Sequence, residues 1–155
     1  AWSFSPDGGY SWATPVHINK TPRRPNNPLF QQALIPSVTV AADSTIVVTY
    51  YDFRRDRIGA STDMADYFAV SCNIITSADA CQSGGDWGNE VRLTDTSFDW
   101  DMAPYASGLF LGDYMGLKAN GQTVWPVFGQ VVRPQQTDLF TRSINVPAML
   151  RLSSR

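Results

Sequence analysis

The strongest local signal in the chain is a turn sequence, Ser5-Pro6-Asp7-Gly8-Gly9-Tyr10-Ser11-Trp12, which is followed by Pro15-Val16. An aspartate in such a turn accepts hydrogen bonds from backbone amides. The two glycines can adopt the positive φ angles that other residues avoid. The stretch therefore predicts a tight turn between two β-strands.

A degraded second copy of this turn lies downstream. It begins at Ser77-Ala78-Asp79 and resumes at Gly85-Asp86-Trp87, with an insertion that includes Cys81. The offset from Ser5 to Ser77 is 77 − 5 = 72 residues. A recurring turn at this distance predicts a repeated structural unit.

Two further segments support the repeat. VTVAADSTIVVTY (38–50) and MGLKANGQTVWPV (115–127) each place an apolar strand on both sides of Asp43-Ser44 or Asn120-Gly121. The Asn-Gly pair is a strong signal for a two-residue hairpin. Third strands are predicted at 66–70 and 138–142, and a fourth near Trp87 and 91–94. Four antiparallel strands of this kind make one blade of a β-propeller.

The predicted strands fall in three groups: two in 1–19, four in 34–95 and three in 109–145, with a C-terminal tail at 146–155. These groups amount to about two and a half blades, whereas propellers typically have about four to eight. We therefore expect either part of a longer protein or a chain that assembles with others, for example two copies in one ring. The long loops at 52–63 and 95–109 are predicted to be functional. Pro126 predicts a bulge or an edge position.

The pattern Ser-x-Asp-x-Gly-x-x-Trp resembles the Asp-box, or bacterial neuraminidase repeat, of the sialidase superfamily; here it comprises Ser5, Asp7, Gly9 and Trp12. The segments 35–38, 50–54 and 110–117 are also similar to sialidase-like propellers. The resemblance covers residues 1–145. It implies an all-β, six-bladed propeller of which this chain is the last third to half. It also implies that the Asp-box is structural, with Trp12 buried between blades.

The resemblance implies a catalytic set as well. Such enzymes use a tyrosine nucleophile paired with a glutamate, an aspartate acid/base and an arginine cluster that holds the substrate carboxylate. Tyr114 and Asp113 are the catalytic candidates, and Arg54, Arg55 and Asp52 are the substrate-binding candidates. Two of these candidates have a plainer alternative: Tyr114 as a core or rim tyrosine, and Arg54 in a loop salt bridge with Asp52 or Asp56.

The set departs from the family's pattern at one position. Glu90, the single glutamate, falls in a predicted fourth strand at the outer edge, where it cannot easily pair with Tyr114. The chain is therefore expected to lack a complete sialidase site.

Composition narrows the remaining possibilities. A net charge of −2 does not indicate the basic surface that nucleic-acid binding requires. No apolar run is long enough to span a membrane. His17, the single histidine, excludes multi-histidine zinc sites. Asp95, Asp99 and Asp101 suggest calcium only weakly, because no Asp-x-Asp-x-Asp-Gly loop is present. We therefore predict no metal or cofactor.

The two cysteines, Cys72 and Cys81, leave two alternatives open. They could pair across a loop, which would indicate an oxidising compartment, or they could be one buried and one free thiol. We predict a secreted or periplasmic protein.

Two functions follow from these observations. The first is a sialidase-like glycoside hydrolase acting on acidic sugars, or a fragment of one. The alternative is a non-catalytic Asp-box propeller module that binds glycans or protein partners. The Asp-box does not separate them, because both would share it.

Overall fold

The computed structural model describes residues 1–23, 32–57, 59, 61–77 and 79–146, and in this part of the chain the regular structure is β-sheet with two short 3₁₀ helices, Gly84–Asp86 and Trp100–Met102. Two antiparallel sheets are present. The predicted all-β class is therefore confirmed. The predicted C-terminal tail, apart from Val146, lies outside the described residues.

The first sheet has the strand order β1-β2-β3-β4, with β5 pairing the start of β3. Its strands are β1 (Ala33–Val40), β2 (Thr45–Asp52), β3 (Met64–Asn73), β4 (Gly88–Arg92) and β5 (Phe98–Asp99). β2 is buried along its whole length, and β3 is buried except at its two terminal residues. Both strands are rich in β-branched and aromatic residues, which suit a sheet covered on both faces.

A hairpin forms at Asp43-Ser44 as predicted, but its loop also includes Ala42, because the Ala41 amide donates to the Thr45 carbonyl oxygen at 2.8 Å. Ser44 adopts a positive φ of 65°, and the carboxylate of Asp43 accepts a hydrogen bond from the Thr45 amide at 3.1 Å. A short polar side chain that bonds its own backbone favours this tight connection.

The second sheet has the order β6-β7-β8, with β9 also pairing β7. Its strands are β6 (Gly116–Asn120), β7 (Thr123–Arg133), β8 (Gln136–Thr141) and β9 (Ile144–Asn145). The turn between β6 and β7 is shifted by one residue from the prediction. Asn120 pairs with Thr123, so the loop residues are Gly121 and Gln122. Gly121 has φ +60° at the first loop position, which is the place for glycine in a type II′ turn.

Pro126 lies in neither of its predicted settings. β7 is a central strand, and Pro126 pairs with Leu117 of β6 without a bulge. On its other side, β8 ends at Thr141 and β9 begins at Ile144. The Thr141 hydroxyl donates to the Pro126 carbonyl oxygen at 2.7 Å, so this carbonyl points toward β8 and β9. The nitrogen of Pro126 points to the same side. The missing amide therefore faces the gap between two partner strands.

The main core lies between the two sheets. Tyr51 and Tyr67 of the first sheet are fully buried, with ring centroids 4.4 Å apart. Tyr67 stacks on Phe128 of the second sheet at 4.7 Å. The Tyr51 hydroxyl donates to the carbonyl oxygen of Gly129 at 2.7 Å. Each aromatic pair adds about 0.5–1.5 kcal/mol beyond its buried area, so these contacts join the sheets firmly.

The opposite face of the first sheet is covered by the N-terminal segment and by the degraded second copy of the Asp-box turn, which we call the second box. Trp2 packs against Trp87 with centroids 5.1 Å apart, and Trp87 is 1% exposed. Cys72 and Cys81 form a disulfide beside them, so the pairing alternative is confirmed. The Trp87 indole donates to the carbonyl oxygen of Cys81 at 3.2 Å.

Two predictions for the N-terminal segment are wrong. Instead of two strands in 1–19, the structure has a narrow hairpin in which one bridge joins Trp2 to Val16 and the Ala13 amide donates to the Phe4 carbonyl oxygen at 2.8 Å. Trp12 is 66% exposed rather than buried between blades, because no described residue packs over it. Of the two turn tryptophans, Trp87 is the buried one.

The loops divide between two ends of the sheets. The 41–45 turn contacts the Gly121 turn through Ala42 N and Gly121 O at 2.9 Å, and Asn73 of β3 donates to Asp43 O at 3.0 Å. We call this end, with the 5–12 and 74–87 turns, the box end. At the opposite end, the 53–63 loop meets the 95–115 loop, where the Trp100 amide donates to Asp63 O at 2.9 Å. We call it the loop end.

Candidate functional site

Arg54 follows β2 at the loop end and is held by two carboxylates. Its Nε donates to Asp52 Oδ2 at 2.7 Å, and its Nη2 donates to Glu90 Oε1 at 2.8 Å. Its guanidinium also lies over the Phe68 ring, 3.9 Å from the centroid. The side chain is only 15% exposed. Arg54 therefore forms a buried ion-pair network, which is the plainer of its two predicted roles.

Glu90 has a different partner from the one a sialidase would require. It lies in β4, as predicted, and accepts a short hydrogen bond from the hydroxyl of Tyr50. Burial and the nearby Glu90 carboxylate raise the pKa of Tyr50 well above its usual value. Tyr50 is therefore protonated at neutral pH and acts as a hydrogen-bond donor. Its 3% exposure leaves no room for substrate at the hydroxyl.

Asp66 is a second buried carboxylate beside this network. It is the cross-strand partner of Asp52 in the β2–β3 register, so the two side chains lie on the same face. Arg92 Nε donates to Asp66 at 2.7 Å, the Thr94 hydroxyl at 2.6 Å and the Ser97 hydroxyl at 2.8 Å. These bonds hold the chain where it leaves the sheet between β4 and β5.

Arg55 is the predicted substrate-binding residue that lines a cavity. The cavity measures about 410 Å³, and its described lining includes Arg55, Asp56, Arg57, Thr62, Met64 and Ser97. The Arg55 side chain is 55% exposed, and its contact with Asp66 is long, at 3.6 Å. Arg57 is exposed and has no hydrogen bond within the described part of the chain. Both guanidinium groups therefore have donors available to an anion.

Tyr114 and Asp113 precede β6 instead of lying on it, because the strand begins at Gly116 and not near residue 109 as predicted. Tyr114 is 91% exposed, and among the described residues its hydroxyl has no hydrogen-bond partner. Asp113 is exposed beside it. Within the described part of the chain, Tyr114 therefore makes no contact with Arg54 or Glu90 that would form a catalytic site.

Acidic residues cluster on the loop end near the cavity. Burial, together with the charges of Asp101, Asp56 and Asp99, raises the pKa of Asp63. Within the described ranges, no group of three or more potential ligand side chains is arranged to hold a metal ion. The expectation that there is no metal stays a prediction.

Sequence reasoning missed the Glu90–Arg54 pair and the role of Asp66. Arg54 and Glu90 are 36 residues apart, so no local pattern signals their contact. A signal for Asp66 did exist, because a charged residue inside an otherwise apolar strand is buried only with partners.

No family model, no curated protein and no solved structure matches this chain. Among the described residues, no helix is long and apolar enough to cross a membrane.

Proposed function

We propose that this chain forms consecutive blades of a sialidase-like Asp-box β-propeller, and that its loop end binds acidic sugars. The observation that carries the binding proposal is the cavity with Arg55 and Arg57. The proposal combines the family resemblance with the chemistry of these two side chains.

The 5–12 turn supports the Asp-box interpretation. Asp7 Oδ1 accepts from the Ser11 amide at 2.8 Å, and Ser5 Oγ accepts from the Gly9 amide at 2.6 Å. Gly8 and Gly9 both have positive φ. The packing of two antiparallel sheets face to face, with both box turns at one end, is what neighbouring blades would give.

The cavity supports recognition of an anion. A planar guanidinium can donate two parallel hydrogen bonds to a carboxylate. The hydroxyl of Thr62 can contact a neutral part of the same sugar. About 410 Å³ is within the usual range for small-molecule sites.

Hydrolysis by Tyr114 and Asp113 is the second candidate function. It is favoured by the free phenol of Tyr114, which lies next to an exposed carboxylate in sequence. A tyrosine suits an anionic sugar, because a carboxylate nucleophile would be repelled by the substrate's own charge. Against it, Glu90 is engaged with Arg54 and Tyr50.

Ligand-observed NMR with the methyl glycoside of N-acetylneuraminic acid tests binding. We expect Arg55→Gln to weaken the affinity about ten-fold, the effect of losing one charge-assisted contact. Lys118→Gln, which removes an exposed cation from β6, is the control and should leave the affinity unchanged. Equal affinities of all three proteins would reject the cavity as the site.

A fluorogenic sialoside assay of the wild type and Tyr114→Phe tests hydrolysis. Turnover that is lost in Tyr114→Phe supports the hydrolase. Binding without turnover at high protein concentration supports the non-catalytic module.

A further inference from the structure

The cavity at Arg55 is one end of a longer depression. A second cavity of about 580 Å³ shares Thr62, Met64 and Ser97 with it. A third, of about 300 Å³, shares Thr96 and Gln130 with the second. The three are therefore contiguous, and we call them together the outer groove. The groove is lined by residues of the 95–102 segment, and its far end is lined by Phe128 and Phe140 of the second sheet.

The far end of the outer groove has an aromatic floor and a polar opening. Phe140 of β8 stacks on Phe128 of β7 with centroids 6.2 Å apart, and Phe140 is 38% exposed. Gln130 lines the same space. Arg142 and Asp95 form an ion pair at the opening, with side chains that are 42% and 85% exposed. This is a ring surface surrounded by hydrogen-bonding groups of both polarities.

The middle of the groove alternates in character. Met64, Met102 and Val132 supply apolar surface. Thr62, Thr96 and Asp99 supply polar groups along the same path, whereas the Ser97 hydroxyl is bonded to Asp66. A ligand that fits this lining has flat apolar patches and many hydroxyl groups, and it repeats along its length.

We propose that the outer groove binds an oligosaccharide of about three sugars, with the acidic sugar at Arg55 and a neutral sugar against Phe140. This inference rests on the proposed function, because it uses the Arg55 cavity as its first subsite. Each of the three cavities has a volume of a few hundred Å³, which suits one sugar ring. The pyranose ring offers an apolar C–H face to Phe140 and hydroxyls to Gln130 and Arg142.

An extended peptide fits this surface less well. Peptides that lie along a sheet bind by pairing with a continuous strand edge. Here the edge of the first sheet is interrupted between β4 and β5, where Thr94 and Ser97 turn their hydroxyls to Asp66. The side chains of the groove, rather than a row of backbone amides, would have to supply the affinity.

The test compares 3′-sialyllactose, a trisaccharide, with the methyl glycoside of its acidic sugar, by titration calorimetry. We expect the wild type to bind the trisaccharide at least ten-fold more tightly. Phe140→Ala should remove this advantage and leave the monosaccharide affinity unchanged. Leu139→Ala is the matched control, because Leu139 is the neighbouring residue on β8 and is 75% exposed.

Gln130→Leu provides a second variant in case Phe140→Ala does not fold, since it leaves the ring stack intact. It should weaken the trisaccharide alone. The inference is overturned if both saccharides bind but Phe140→Ala, Gln130→Leu and Leu139→Ala all match the wild type. It is also overturned if a tetraglutamate peptide displaces the trisaccharide and loses affinity in Phe140→Ala. If neither saccharide binds the wild type, the proposed function itself fails.

Discussion

Asp7 shows how one carboxylate can organise a turn that has no core beneath it. Its two oxygens accept from the amide and the hydroxyl of Ser11, and the hydroxyl of Ser5 donates to it at 2.8 Å. These bonds, led by the Ser11 hydroxyl, lower the pKa of Asp7 to about 2. The turn is therefore held by the charged form of this side chain.

This shift predicts a pH-dependent contribution to stability. The carboxyl is more acidic in the folded protein than its ordinary value of 3.8, so its contribution is complete above pH 3.8. The contribution is lost as the pH falls through about 2. We expect the difference in Tm between wild type and Asp7→Asn to be constant near neutral pH, to shrink below pH 3.8 and to be mostly lost by about pH 2.

Thermal unfolding between pH 2 and 7 measures this difference. Asp79→Asn is the control, because Asp79 is exposed and its carboxylate has no hydrogen bond among the described residues. A Tm difference for Asp7→Asn that stays the same at pH 2 would contradict the prediction.

Local contacts of single residues could be predicted from the sequence, whereas contacts between distant residues could not. The side-chain bonds of Asp7 could be predicted, because they lie within four residues. The commitment of Arg54 to Glu90 could not, since it depends on how β4 aligns with β3. That alignment contains an irregularity between Ala69 and Ser71, which no local pattern signals.

At the scale of elements, the two box tryptophans allow a direct comparison. Trp87 is buried against Trp2 and donates to Cys81, whereas Trp12 is exposed. We expect Trp87→Ala to lower the free energy of unfolding by about 3–5 kcal/mol, as for other buried aromatic residues. Trp12→Ala should change it by no more than about 0.5 kcal/mol. Urea unfolding of the two variants checks this, and equal effects would contradict it.

The disulfide joins the end of β3 to the second box. Cys72 and Cys81 are 9 residues apart, so the bond closes a short loop. A loop of this size predicts a stabilisation of about 2.5–3 kcal/mol from reduced freedom of the unfolded chain.

Replacing both cysteines with alanine should therefore lower the Tm by about 6–10 °C. Differential scanning calorimetry of the double variant, with and without reductant, measures the effect. A wild type whose Tm is the same in reductant, with the thiols shown to be free, would rule out this stabilising role.

Strands and turns could be predicted best where one local pattern decides them. β2 and β3 follow from dense β-branched and aromatic residues, and the Asp43-Ser44 turn follows from its side-chain chemistry. β6 begins seven residues later than the first predicted position, 109. There, Phe110 and Leu111 have the composition of a strand, but Phe110 bonds to Pro104 within the preceding loop.

At the scale of the whole molecule, both outer faces of the sheet pair carry exposed apolar residues. Val38 and Val40 of β1 are 56% and 55% exposed on one side. Trp125, Val127 and Leu139 are exposed on the second sheet. Surfaces of this kind mark contact sites or aggregation-prone patches.

We therefore expect the isolated chain to associate as its concentration rises. Sedimentation velocity should show a larger species that disappears in a Val127→Thr/Leu139→Lys variant. Asp138→Asn, an exposed change on β8 that lies on the opposite face from Leu139, is the control. A monomer at all concentrations would show that these faces need no partner.

The exposure of Trp12 depends on the whole assembly and not on the turn sequence. Burial of a residue at the edge of one unit depends on the unit beside it, and the box sequence carries no information about that neighbour. The same box chemistry thus places one indole in a core and the other in solvent.

Pro126 affects the tendency of the second sheet to aggregate when the sheet partly unfolds. If β8 and β9 detach, the edge of β7 that they covered becomes available to a strand of another molecule. Unpaired strand edges of this kind promote intermolecular pairing. Because proline has no amide hydrogen, this edge is split into two short stretches that meet at Pro126. A strand from another molecule could not form continuous backbone hydrogen bonds along this edge. Pro126 therefore disfavours intermolecular β-sheet formation by a partly unfolded chain.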